Sequence, residues 1–134
     1  DFDNDGDLDI VFGDGIRWGG TLTDPPRTLA VFRNNGTANN WLMITLEGTR
    51  SNRSAIGAKV YLSATIRGET VQQMREVSSG SGHSCQNDLR VHFGLGDAAL
   101  VELIRIEWPS GQVDELNNIS PNQFLTIVEG SESI

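Results

Sequence analysis

Apolar and polar residues alternate along much of the chain with a period of two. Ala58, Val60, Leu62, Ala64 and Ile66 are separated by Lys59, Tyr61, Ser63 and Thr65. Successive strand side chains point to opposite faces, so one face of this segment is expected to be buried and the other wet. Leu89, Val91 and Phe93 alternate with Arg90 and His92 in the same way. Residues 101–108 put Ile104, Ile106 and Trp108 on one face, with Arg105 and Glu107 on the other. Shorter strands are predicted at 9–12, 29–33, 41–46, 71–77, 112–116 and 124–128. Nine strands at short spacing, with no long segment of helical period, predict an all-β sandwich or barrel, and an antiparallel β-sandwich is the expected architecture. Trp108-Pro109-Ser110-Gly111 suits a type I turn, with Pro second and Gly fourth, joining two antiparallel strands.

Two stretches read as connections. Residues 13–28 carry Gly19-Gly20 and Asp24-Pro25-Pro26 with little periodicity, and residues 34–40 read Asn-Asn-Gly-Thr-Ala-Asn-Asn. A domain boundary is expected in the second, separating residues 1–36 from residues 37–134. A chain of 134 residues and 14.6 kDa holds one domain and a fragment of another. It does not begin with Met and opens inside a motif, so a piece of a longer protein is expected. No apolar run approaches the roughly 20 residues that span a bilayer.

Charge sharpens the picture. The chain has 18 acidic and 10 basic residues, a net charge of -8. A nucleic-acid partner would want the opposite balance. Six of those carboxylates are Asp1, Asp3, Asp5, Asp7, Asp9 and Asp14, and the other 120 residues carry 12 acidic against 10 basic groups. The excess is therefore local and points to a cation. Residues 1–9 read Asp-Phe-Asp-Asn-Asp-Gly-Asp-Leu-Asp, with carboxylates at loop positions one, three, five and nine and Gly6 at six. Calcium takes six to eight oxygen ligands, and a tight loop with a Gly turn can turn alternate side chains inward. Asp1, Asp3, Asp5 and Asp9 are candidate ligands through their side chains, and Asp7 through its carbonyl. This is not an EF-hand, because position twelve is Phe12 and a strand follows. The competing reading is a solvated acidic turn.

Here the sequence resembles known families. Residues 1–13, DFDNDGDLDIVFG, look like the calcium loop of FG-GAP/VCBS repeats, the blades of integrin-type β-propellers. VFRNNG (31–36) is similar to the strand and turn that open the next such repeat. NWL (40–42), NRSAIGAKV (52–60), SSGSGHSCQN (78–87), HFGLG (92–96) and IEWPSG (106–111) then resemble, in order, the ASPIC/UnbV domain. Cys85 departs from the usual Ser before Gln-Asn. The resemblance implies a sandwich preceded by a remnant of a propeller blade, with calcium as the cofactor and the rest of the propeller as a partner. It implies an extracellular module, secreted or on the cell surface, that serves adhesion or the binding of a protein or carbohydrate; the lack of a convincing acid/base or nucleophile set makes a non-catalytic role the expectation. The alternatives are a carbohydrate-binding module and an accessory domain of a secreted enzyme.

Other features are weaker. Gly94-Leu95-Gly96-Asp97-Ala98-Ala99 matches a dinucleotide fingerprint, but residues 100–108 alternate like a strand where a helix is required. His83, Ser84 and Cys85 are adjacent, whereas a nucleophile and its base converge in space rather than in sequence. The polar loops 52–56 and 78–87 are expected to meet at one edge, since a hairpin would put the start of one strand beside the end of the next. Asn52, Arg53, His83, Gln86 and Asn87 would then form one polar patch, either a ligand site or a structural contact with Arg53 paired to a carboxylate. Trp108 is expected in the core, Trp41 at a strand start, and Trp18 in an irregular loop.

Overall fold

The computed structural model describes residues 1–13, 29–80 and 86–131, and none of them is helical. The chain divides into two compact units, Asp1–Thr37 and Ala38–Ile134. Cys85, Trp18 and most of the 13–28 connection lie outside the described residues.

Among its described residues the first unit contains one antiparallel pair, β1 (Ile10–Gly13) and β2 (Leu29–Phe32), with Ile10 opposite Phe32. The second contains two sheets. One has the order β6-β3-β9, built from β3 (Asn40–Glu47), β6 (Val91–Gly96) and β9 (Gln123–Val128). The other has the order β5-β4-β7-β8, built from β4 (Lys59–Ile66), β5 (Glu69–Glu76), β7 (Val101–Glu107) and β8 (Val113–Ile119). Leu42, Ile44 and Leu46 of β3, Phe93 and Leu95 of β6, Val60 and Leu62 of β4 and Ile104 and Ile106 of β7 form one buried cluster. Each such side chain contributes roughly 1.5–3 kcal/mol by leaving water. Between the two sheets, the Gln73 amide of β5 donates to the Gly94 carbonyl of β6 at 2.8 Å.

Among the described residues the nine strands stand where the periodicity puts them, with ends displaced by a residue or two, or three at the ends of β6 and β8. Two features depart from simple alternation. In the β4–β7 ladder Ser63 pairs with Leu103 and Ala64 with Val101, so Glu102 is an extra residue. That bulge resets the phase. Val101 and Ile104 both face the core, and Glu102 turns out to accept the Thr65 hydroxyl at 2.5 Å. The second departure is that β9 runs parallel to β3, with Leu42 opposite Gln123 and Glu47 opposite Val128, so the smaller sheet is mixed rather than antiparallel throughout. The turn after Trp108 forms as expected: the Gly111 N–H donates to the Trp108 carbonyl at 2.9 Å, with Gly111 at φ 88°. Trp108 is buried, and its indole N–H donates to Asp114 at 2.7 Å. The Gly94–Ala99 segment is the end of β6 and a tight turn, closed by Ala98 N–H to the Leu95 carbonyl at 3.0 Å.

Glu129, just past β9, is the buried charged residue among those described. Its carboxylate accepts the N–H groups of Thr49, Arg50 and Ser51 at 2.7–2.8 Å, the Ser51 hydroxyl at 2.8 Å, and the Ser110 hydroxyl. Burial alone would raise its pKa. The Ser110 and Ser51 donors and the Arg50 N–H outweigh that and lower it from 4.5 to about 2. Close backbone packing completes the corner: a Cβ on Gly48 would lie 2.2 Å from the Asn52 carbonyl oxygen.

Because the folded pKa is depressed, the stability from Glu129 is present in full above pH 4.5 and is lost as the pH falls toward about 2. Glu129→Gln should flatten that stretch of the acid-unfolding curve followed by circular dichroism. Glu129→Ala strands five donors and should lower the melting midpoint at neutral pH by roughly 5–10 °C.

Candidate metal centre

The acidic loop is shaped by its own side chains. Asn4 (φ 59°) and Gly6 (φ 96°) both take the left-handed backbone region. Asn tolerates that region by local hydrogen bonding, and Gly by having no Cβ. The Asp1 carboxylate accepts the N–H groups of Asp5 at 3.1 Å and Gly6 at 3.2 Å, which curls the loop over its first residue. Asp5 accepts the Asp7 N–H at 3.0 Å, a side-chain turn two residues long. Asp9 ties the loop's ends together, accepting the Phe2 N–H and the Asn34 N–H at 2.8 Å each. Those two bonds, Phe2 first, hold the Asp9 carboxyl below the usual carboxylate range, and the Asp7 N–H does the same for Asp5.

Of the four candidate side-chain ligands, the fold brings three together. Carboxylate oxygens of Asp1, Asp3 and Asp9 lie within 4.8 Å of one another. Two oxygens sharing one calcium ion at about 2.3–2.6 Å lie at most about 5 Å apart, so the spacing fits a shared ion. Asp5 is turned toward Arg33, whose guanidinium Nη2 is 3.3 Å from it, while Arg33 Nε is 2.7 Å from Asp3. The Asp7 side chain lies against Gly36, where an added Cβ would meet Asp7 Oδ2 at 2.3 Å.

The second candidate patch divides differently. The β4–β5 hairpin does put the start of β4 beside the end of β5, with Gly57 N–H donating to Val77 O at 2.8 Å and Val77 N–H to Ala58 O at 3.0 Å. Asn52 is spent on its own loop, accepting the Ile56 N–H and donating to the Ile56 carbonyl, both at 2.9 Å. Arg53 is exposed and lies 3.9 Å from Glu47. Gln86 and Asn87 are exposed, and His83 lies outside the described residues. The sequence reading did not single out Arg33 or Glu129. Register could have suggested Arg33, because a β1–β2 hairpin sets the residue after Phe32 opposite Asp9.

Gly36 sits at φ 76° with Asp7 against it. Gly36→Ala forces a left-handed Ala, which costs about 1–2 kcal/mol, and displaces Asp7. Faster amide exchange at Asp7 and Gly36, with the second unit's melt unchanged, is the expected outcome by NMR.

Residues 48–134 match the family described as ASPIC and UnbV. Over 129 residues the chain is 36% identical to cartilage acidic protein 1 of Mus musculus, covering 89% of this chain and 18% of that protein. It is 35% identical over 132 residues to cartilage acidic protein 1 of Homo sapiens, covering 96% of this chain and 18% of that protein. The Xenopus tropicalis protein of the same name is 34% identical over 114 residues. The chain thus spans less than a fifth of the length of these curated relatives. With a family match over residues 48–134, well over half of its length, the chain belongs to the ASPIC and UnbV family.

Proposed function

We propose that this chain is a non-catalytic, calcium-associated extracellular module of a larger protein, serving adhesion or ligand binding. The observation that carries the reading is the convergence of Asp1, Asp3 and Asp9 within 4.8 Å, inside a loop with five aspartates in nine residues. A calcium ion bound there would offset the negative charge that Arg33 alone does not balance. Asp1 and Asp9 hold backbone N–H groups and are pre-positioned, and Asp3 completes the set from the exposed side. Such a small, open site suits the 10⁻⁴–10⁻³ M calcium range of extracellular modules.

The non-catalytic part of the reading is supported by how the enclosed carboxylates are used. Glu129 binds chain N–H groups and hydroxyls, and Asp114 takes the Trp108 indole, the Gln112 amide and the Gly130 N–H. Both are committed to structure. The first unit supports membership of a larger protein. Its two-stranded pair leaves Ile10, Val11, Leu29 and Phe32 each about 60% exposed or more. Two strands alone are marginal in water. Further strands of a propeller, the partner expected from the acidic-loop resemblance, would cover them. Among the described residues no helix is long and apolar enough to cross a membrane.

Asp3 is the ligand to test, since in the folded loop it holds none of the backbone bonds that Asp1 and Asp9 hold. Asp3→Asn should weaken calcium binding by tenfold or more, on the order of the loss of one charged ligand, without unfolding the loop. Isothermal titration of wild type and variant with calcium reads this directly. Equal affinities would end the reading.

A further inference from the structure

The register of the first unit places a cation at the acidic loop. Ile10 pairs with Phe32, so β2 delivers Arg33 beside Asp9, and the next residue, Asn34, is bonded to Asp9 through its backbone N–H. Arg33 is the one basic side chain among the described residues of this unit. It does not form a fork on a single carboxylate. Its Nε takes Asp3 at 2.7 Å and its Nη2 takes Asp5 at 3.3 Å, bridging two acids that would otherwise repel.

We propose that Arg33 is a tethered counter-ion that competes with calcium for Asp3 and so sets the affinity of the site. The proposal rests on the calcium reading above. Asp3 belongs to both sets: it is one of the three converging carboxylates and it is the partner of Arg33 at the shorter distance. One carboxylate cannot give its full charge to both. A single positive charge held several ångströms from a divalent ion in a water-exposed site opposes binding by about tenfold. The Arg33 side chain is 59% exposed, so it can swing into water on release without leaving a buried charge unpaired. Without the ion, the same bridge keeps the loop closed around Asp1. Removing Arg33 therefore has opposite effects on the two states: the metal-free loop loosens and the calcium-bound loop gains. A purely structural arginine would weaken both.

Calcium titrations of wild type, Arg33→Gln and Arg33→Lys by calorimetry test this. They are paired with amide exchange of Asp5, Gly6 and Asp7 in chelator. Arg33→Gln should bind calcium about tenfold more tightly, and Arg33→Lys should fall between it and wild type. In chelator the Arg33→Gln loop amides should exchange faster, and calcium should restore their protection. Unchanged or weaker calcium binding by Arg33→Gln, with wild type binding normally, overturns the competition. If neither wild type nor Arg33→Gln takes up calcium at millimolar concentration, the calcium reading itself fails and the competition falls with it.

Discussion

A parallel strand pair cannot be closed by a hairpin, and the β3–β9 pair of the smaller sheet is parallel. The chain leaves β3, builds the whole of the other sheet and β6, and only then returns as β9. No tight turn joins the two strands, and side chains at their ends reinforce the ladder between them. At the start, the Asn122 side-chain Oδ1 accepts the Trp41 N–H at 3.1 Å, and its side-chain Nδ2 donates to Asn40 Oδ1 at 2.7 Å. Asn40 in turn donates to the Ala98 carbonyl at 2.9 Å, which anchors the turn between β6 and β7. At the other end Glu129 gathers the loop after β3 and the β7–β8 turn onto one carboxylate. The central strand is thereby clamped at both ends, by an amide pair and by a charged acceptor.

The two units handle negative charge in opposite ways. Glu129 is buried and surrounded by donors fixed in the chain, so it is stable as an anion and needs no mobile partner. In the first unit Asp3 and Asp5 are exposed and share one arginine. Fixed donors give a permanent joint. Asp3 and Asp5 are instead compensated by a side chain, the exposed Arg33 guanidinium, which water also reaches. The chemistry is the same carboxylate in both places, and what differs is whether the compensating charge is built into the backbone.

The apolar surface divides in the same manner. In the second unit the inward residues of β3, β4, β6 and β7 meet in one core, and Trp108 closes it with its indole satisfied by Asp114. On the outer face of the smaller sheet, Trp41 and Phe124 pack edge to face at 5.0 Å, with the Arg90 guanidinium 5.5 Å from the Phe124 ring. Met43, though on that outer face, is buried. In the first unit Ile10, Val11, Leu29 and Phe32 of the strand pair stay exposed.

Period-two alternation was enough to locate nine strands and the all-β class, because burial of one face leaves a local mark on every second residue. The Trp108–Gly111 turn was legible for the same reason: Pro and Gly fix backbone angles by themselves. The acidic loop was legible as a charge cluster with a Gly at the turn. What alternation cannot carry is partner choice. Nothing in residues 123–128 states that they pair parallel with β3, since the direction of pairing depends on the path of the intervening chain. The bulge at Glu102 was likewise hidden, because an extra residue is defined by the partner strand and not by its own. Glu129 looked like one acid among many near the end of the chain, and Arg33 like the last residue of a short strand. Their roles depend on donors and carboxylates up to 80 positions away, or on a hairpin register, and only the folded chain brings those groups within hydrogen-bonding distance.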